Sequence, residues 1–476
     1  MKNKIHRYLL VLILMGTVTV GENCLLSAAE AKQQTEWKAV AASVVITPEK
    51  DMWMAGYAAR TEPSKGKVHD LYAKLLILED SRGKKLVMIT TDLIGITPAL
   101  RDPIAARLEE DFQIPAAALL MNASHTHCGP ELREKKASRR GLGGDRGAQA
   151  RVYTQELVRK LVAAIGEALP QLEPAVLKYS YGRAGFSMNR RLPTENGVIN
   201  SPHPQGPVDQ RVPVLMVERP DSSLMAVLFG YACHNTTLSF YQFCGDYAGY
   251  AQEYLQADHP GTVAMFMMGC GGDQNPYPRR TLDLAKQHGR ALANAVETAI
   301  SVKQPRLIHG PLGVAMGDVE LEFATPPTKA ELLRQKDSGN KYEVSHATRL
   351  LEQLEERGGI QTEYAFPLQV VQFGKDLTLV AVCGETVVDY SHRFQKELKS
   401  GHGAGETDPI VWVAGYSNHV FGYLPSLRVL KEGGYEGARA MIYSSYPGPF
   451  KESVEERVAA KVHQLTEQAR REALGD

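Results

Sequence analysis

Six stretches of nearly unbroken apolar residues recur along the chain, at 84–95 (KKLVMITTDLIG), 117–125 (AALLMNASH), 224–234 (LMAVLFGYACH), 262–272 (TVAMFMMGCGG), 377–385 (LTLVAVCGE) and 409–418 (PIVWVAGYSN). Strands with one wet face alternate apolar and polar residues, whereas continuous hydrophobicity marks strands covered on both faces. Between several of these runs lie segments with apolar residues at three- and four-residue spacings, for example 148–169 and 281–300, which predict amphipathic helices. The alternation predicts an α/β fold, with a mixed or largely parallel, largely buried sheet flanked by helices. No Pro/Gly/Ser linker separates two cores, so a single domain over residues 32–476 is expected. Residues 327–358 read as a surface helical pair broken at KDSGNK, and 452–474 as a closing helix.

The ends of the apolar runs share a character. They finish in SHTHCGP, GYACHNTT, GCGGDQNPYP, CGETV and GYSNHVFGYLP, so ionisable and polar residues collect just past the buried segments. In open α/β sheets, ligand sites form outside the carboxyl ends of strands. This places a site at the strand C-terminal ends.

Residues 1–31 stand apart. Lys2, Lys4 and Arg7 precede an apolar run from 8 to 20, and Ala29-Glu30-Ala31 supplies small residues around a cleavage point. This is the pattern of a secretory signal peptide, and it predicts a secreted or periplasmic protein. Lys plus Arg and Asp plus Glu both total 54, so overall charge gives no reason to expect nucleic acid as a partner. Of the six cysteines, Cys24 falls in the N-terminal segment, and the other five include no CxxC pair. They form neither a disulfide framework nor a four-cysteine zinc site, and read as small buried apolar groups.

In MNASHTHCGP (121–130), His125 and His127 are two residues apart, so in an extended chain both imidazoles share a face and Cys128 takes the other. The pair could share a metal, divide metal and substrate between them, or be satisfied by hydrogen bonds in a loop. His234 and Glu385 end two other runs, and with the histidine pair they make a His, His, Glu set of zinc-binding chemistry. GCGGDQNPYPRR lacks the spacing of a phosphate-binding loop, and no GxSxG elbow marks a serine hydrolase. The turn is read instead as bringing Asn275 close to a ligand. The basic segment REKKASRR (133–140) is either a solvated loop or a point of contact with an anionic membrane surface.

Taken in order, MAGYAAR (54–60), TTDLIGI (90–96), ASHTHCGP, SMNRRL (187–192), CHNTTL (233–238), GDYAGYA (245–251), GGDQNP, CGET, GYSNHVFGYLPS and YEGARAMIY resemble the neutral ceramidase family, over most of the chain after residue 31. The resemblance implies a zinc-dependent amidohydrolase that cleaves the N-acyl amide of ceramide, or of a related N-acyl lipid, by attack of an activated water. It assigns the zinc ligands to His125, His234, Glu385 and Tyr423, a substrate-facing role to His127, substrate binding to Arg190, and a place beside the scissile amide to Tyr435. Asp92, ending TTD, would orient a ligand as a supporting carboxylate.

Two departures from the family pattern bear on the substrate. The family carries a serine in a GDVSPN-like turn where this chain has Asn275, and longer members carry a C-terminal β-sandwich that the resemblance here does not reach. Alternatives are therefore a zinc hydrolase of a different amide or ester, and a secreted non-catalytic binding protein on the same fold. The expected partners are a lipid or N-acyl amide substrate and a membrane surface; the sequence does not specify an oligomeric state.

Overall fold

The structure, a computed structural model, describes residues 36–134, 146–399 and 408–475. The predicted signal segment and residues 135–140 of the basic stretch lie outside the described residues. The chain opens with β1 (Trp37–Val45), β2 (Tyr72–Glu79), β3 (Lys85–Thr91), α1 (Pro98–Phe112), β4 (Leu119–Ala123) and α2 (Arg146–Ala168). It continues through β5 (Glu173–Arg183), β6 (Ser187–Thr194), β7 (Gly197–His203), β8 (Arg211–Glu218), β9 (Leu224–Tyr231), α3 (Asp246–Asp258), β10 (Val263–Met268), β11 (Gln274–Pro276) and α4 (Leu282–Ile300). Next come β12 (Arg306–Ile308), β13 (Leu312–Glu322), α5 (Lys329–Lys336), α6 (Lys341–Arg357), β14 (Glu363–Phe373), β15 (Leu377–Val382), β16 (Glu385–Thr386) and α7 (Val388–Glu397). The last elements are β17 (Ile410–Ala414), β18 (Tyr423–Leu424), α8 (Leu427–Glu432), α9 (Gly434–Gly437) and α10 (Val454–Leu474).

Two sheets dominate. One runs β10-β9-β8-β5-β1-β2-β3-β4 with β12 beside β5, and the other runs β13-β14-β15-β17. The expected mixed α/β architecture is present, but the pairing is mostly antiparallel. Only β3/β4, β9/β10 and β15/β17 among the pairs in these two sheets are parallel.

The reason the strands nonetheless read as continuous apolar runs is the layering. A core of Trp37, Leu76, Met88, Leu120, Leu228, Met265, Phe373, Leu379 and Trp412 lies between the two sheets. The other face of the larger sheet packs on α1 and α2 at one end, and on α3 and α4 at the other. The far face of the smaller sheet packs on α7 and α10. Each central strand is thus covered by helices on one side and by a second sheet on the other, and the same burial that parallel α/β sheets show arises here from a four-layer sandwich.

Helices α5 and α6 pair on each other through Leu332, Leu350 and Leu351. Thr328 caps α5 in a reciprocal box with Glu331, and Asn340 caps α6, which accounts for the break at KDSGNK. Arg349 ties the pair to the chain by donating to the carbonyls of Ser444 and Ile442. No helix among the described residues is long and apolar enough to cross a membrane. Cys128, Cys233, Cys244, Cys270 and Cys383 are all free and buried.

Candidate active site

The site forms where the segments that leave the three parallel pairs converge. His125 follows β4, His234 follows β9, and Glu385 follows β15 after the left-handed Gly384. Glu385 then pairs with Tyr423 in the two-residue parallel ladder of β16 and β18. The four side chains assigned to a metal therefore come from both main sheets and meet between them.

Their polar atoms converge. Glu385 Oε2 lies 3.2 Å from His234 Nε2 and 3.3 Å from His125 Nε2. The Tyr423 hydroxyl is 3.3 Å from His234 Nε2, and His127 Nε2 is 3.2 Å from His125 Nε2. Tetrahedral zinc with ligands at about 2.0–2.1 Å places those ligands about 3.3 Å apart, so these separations fit the ion. The imidazoles are oriented for it. His125 Nδ1 lies 2.5 Å from the carbonyl of Ile94, and His234 Nδ1 lies 2.6 Å from that of Gly271. A carbonyl accepts only, so each Nδ1 carries the proton and each Nε2 presents its lone pair inward.

Charge follows the same logic. Burial opposes ionisation of Glu385, but His125 and His234 outweigh it and hold the carboxyl well below its usual range. Burial, with Arg190 nearby, lowers His234 to about 3, so it stays neutral and able to ligate. His127 differs from the other two. Its Nδ1 is buried without a hydrogen-bond partner, and burial together with His125 and His234 holds it well below the usual imidazole value. The ring packs on Tyr57 at 4.8 Å between centroids.

The proximity of His125 and His127 has a different origin from the one the spacing suggested. His125 has φ of 61°, so the chain leaves β4 through a left-handed residue and turns, and the imidazoles meet across that turn instead of along a pleat. Cys128 Sγ sits 4.0 Å from Arg60 Nη2, outside the histidine cluster. Asp92 also departs from expectation. Its carboxylate accepts from the Tyr72 amide at 2.9 Å and Gln252 Nε2 at 3.4 Å, and makes no bond to a site imidazole. It fastens β2 and α3 and does not orient a ligand.

Arg190, on β6, is buried and heavily engaged. Its Nε donates to Glu436 Oε1 at 2.8 Å, Nη1 to Asn275 Oδ1 at 3.2 Å, and Nη2 to the Tyr423 hydroxyl at 2.9 Å. Glu436 Oε2 accepts from Arg191 Nη1 at 2.7 Å, so one buried carboxylate serves two guanidinium groups. Asn275, paired with β6 through β11, also accepts from Thr236 Oγ1 at 3.1 Å, and its Nδ2 faces the Tyr277 hydroxyl at 3.4 Å. Tyr435, on α9, stands edge-on to Tyr423 at 5.3 Å between centroids. Of the nine residues given a role from the sequence, all but Asp92 make contacts within this one neighbourhood.

Residues 40–278, half of the chain, match the family described as neutral/alkaline non-lysosomal ceramidase, N-terminal. The chain belongs to this family. The fold of this ceramidase-family chain is similar to a crystal structure of neutral ceramidase from Pseudomonas aeruginosa, with a TM-score of 0.69 and 20% identity over 92% of this chain and 74% of that one. It is equally similar to a ceramidase complexed with C2, with a TM-score of 0.69 and 18% identity over 92% and 75% of the two chains. At these identities the likeness is one of fold. No curated protein matches the chain.

Sequence reasoning passed over several contributors. Gly56 and Tyr57, inside MAGYAAR, flank His127; Tyr416 packs on His125 at 4.6 Å between centroids; and Glu436 orients Arg190. Each lies within a motif or one residue from a named position, yet no chemistry in the sequence marks a glycine or a carboxylate as support for a neighbour far along the chain.

Proposed function

We propose that this member of the neutral ceramidase family is a zinc-dependent amidohydrolase that cleaves the N-acyl amide of ceramide or a related N-acyl lipid. The observation that carries the reading is the inward-facing set of His125, His234, Glu385 and Tyr423 at zinc-compatible separations, with both ligand histidines locked through Nδ1. These four residues would hold a zinc ion, which when bound would supply Lewis acidity toward the amide carbonyl and a lowered pKa for water. His127, half-buried and neutral, accepts the proton of the attacking water and passes it to the leaving amine. Tyr435 donates its hydroxyl to the amide oxygen as charge builds there. Arg190 acts through the chain, holding Tyr423 and Asn275 in place. Export across a membrane is part of the reading and rests on residues 1–31.

One observation favours an N-acyl amide other than ceramide. Both Arg190 and Thr236 donate to Asn275 Oδ1, so Asn275 meets substrate as a donor only, where the family's serine offers a hydroxyl that both donates and accepts.

Purified protein is expected to carry about one zinc per chain, to cleave N-acyl amides, and to lose both metal and hydrolysis in His125→Ala. Full activity in metal-free protein would overturn the mechanism. Bound zinc without cleavage of any N-acyl lipid, other amide or ester would leave a binding protein.

A further inference from the structure

Three arginines stand against the tyrosine rings that border the site, without carboxylate partners. Arg280 Nη1 donates to the Tyr57 hydroxyl at 3.2 Å, and Tyr57 is the ring against His127. Arg60 has its guanidinium 5.0 Å from the same ring's centroid and is 4% exposed. Its acceptors are neutral, the carbonyls of Ala55 and Phe240 and the Cys128 thiol, and its buried Nε has none. Arg279 lies 5.3 Å from the Tyr277 ring, whose hydroxyl meets Asn275. Among the described residues none of the three forms an ion pair.

The nearby carboxylates are committed elsewhere. Glu385 faces His125 and His234, and Glu436 serves Arg190 and Arg191. Asp246 accepts from the amides of Leu238 and Tyr247 at 2.9 and 2.6 Å. The backbone also carries strain here: Arg280 has φ of 98°, and its amide is held to the carbonyl of Thr237 at 2.7 Å. A non-glycine residue kept in that region, aiming a cation at the ring beside His127, points to a ligand. Burial and the Arg280 charge both lower Arg279, as expected for cations crowded without an anion between them.

We propose that Arg279 and Arg280, with Arg60 behind them, receive an anionic group on the amine half of the substrate. This inference rests on the N-acyl amide hydrolase reading and narrows it to N-acyl amides whose amine carries a carboxylate or sulfonate. Guanidinium forks match either group. The acyl half is apolar, and the neutral amine half of ceramide would leave the three charges uncompensated.

The test uses the full-length, zinc-loaded protein with four probes: N-octanoylglycine, N-octanoyltaurine, neutral N-octanoylethanolamine and a short-chain ceramide. kcat/KM for one or both anionic amides is expected to exceed that for the ethanolamide by on the order of tenfold or more, and to fall as salt is raised. The ratio between glycine and taurine conjugates separates carboxylate from sulfonate. In Arg279→Gln/Arg280→Gln the anionic-to-neutral ratio is expected to collapse toward one. Equal turnover of anionic and neutral amides, or a ratio unmoved by the double substitution, overturns the proposal. Octanoylglycine binding that the substitution abolishes, in a protein that hydrolyses none of the probes, would keep the anion site and reject the hydrolase reading.

Discussion

His127 depends on a residue with no side chain. Gly56 has φ of 95°, and a Cβ there would lie 2.6 Å from His127 Cγ and 2.7 Å from Nδ1. Gly56→Ala would strain the backbone and displace the imidazole, while His125 and His234, held through Ile94 and Gly271, remain in place. The expected result is a protein that keeps its zinc but loses on the order of a hundredfold or more in kcat, the scale of a missing general acid–base. Metal content and turnover measured on one preparation check it. A parallel loss of zinc would place His127 among the ligands instead. At this scale the sequence was informative about chemistry and poor about conformation: it marked both histidines, but inferred their common facing from a pleat that the left-handed His125 does not form. Asp92 shows the converse, a conspicuous carboxylate whose partners are the Tyr72 amide and Gln252.

At the scale of elements, the proposed metal centre hangs on the shortest strands among the described residues. β16 and β18 contribute two residues each, and their ladder sets Glu385 opposite Tyr423. Beside them the turn after β10 is pinned by the Gly272 amide donating to the carbonyl of Thr386 at 2.8 Å. A Cβ at Gly272 would lie 2.5 Å from the carbonyl oxygen of Glu385 and 2.9 Å from that of Thr386, so the turn and the ladder approach as closely as backbone allows. Gly272→Ala should push β16 away from the histidines. Zinc affinity is expected to fall by roughly ten- to a hundredfold, the range found when supports of metal ligands are lost, with about 1–3 kcal/mol of destabilisation. Competition with a chromogenic chelator measures the first and thermal denaturation the second. An unchanged affinity would mean that the ladder does not set the position of Glu385. Two-residue strands leave no periodicity to read, so Glu385 was marked only by the end of the apolar run before it, and Tyr423 was reached through a family resemblance.

At the scale of the whole molecule, the site joins the two sheets. His125 and His234 extend from the larger one, Glu385 extends from β15 of the smaller, and Tyr423 pairs with Glu385. The sequence announced strands buried on both faces but could not say what covered them, because apolar residues facing a helix and apolar residues facing a second sheet spell the same run. The proposed metal, bridging the sheets, would add its binding free energy to the folded state alone. Zinc at a thousandfold excess over its dissociation constant is therefore expected to stabilise the fold by about 4 kcal/mol, raising Tm, with chelator reversing the rise. The core between the sheets makes a separate contribution. Phe373, fully buried there against Trp37 at 5.9 Å between centroids, should cost about 3–5 kcal/mol when changed to Ala. The two effects are separable in one set of melts: Phe373→Ala should melt lower yet keep the zinc-dependent rise, whereas His125→Ala should lose that rise. A zinc effect that survives in His125→Ala would show that the stabilising ion binds somewhere other than between the sheets.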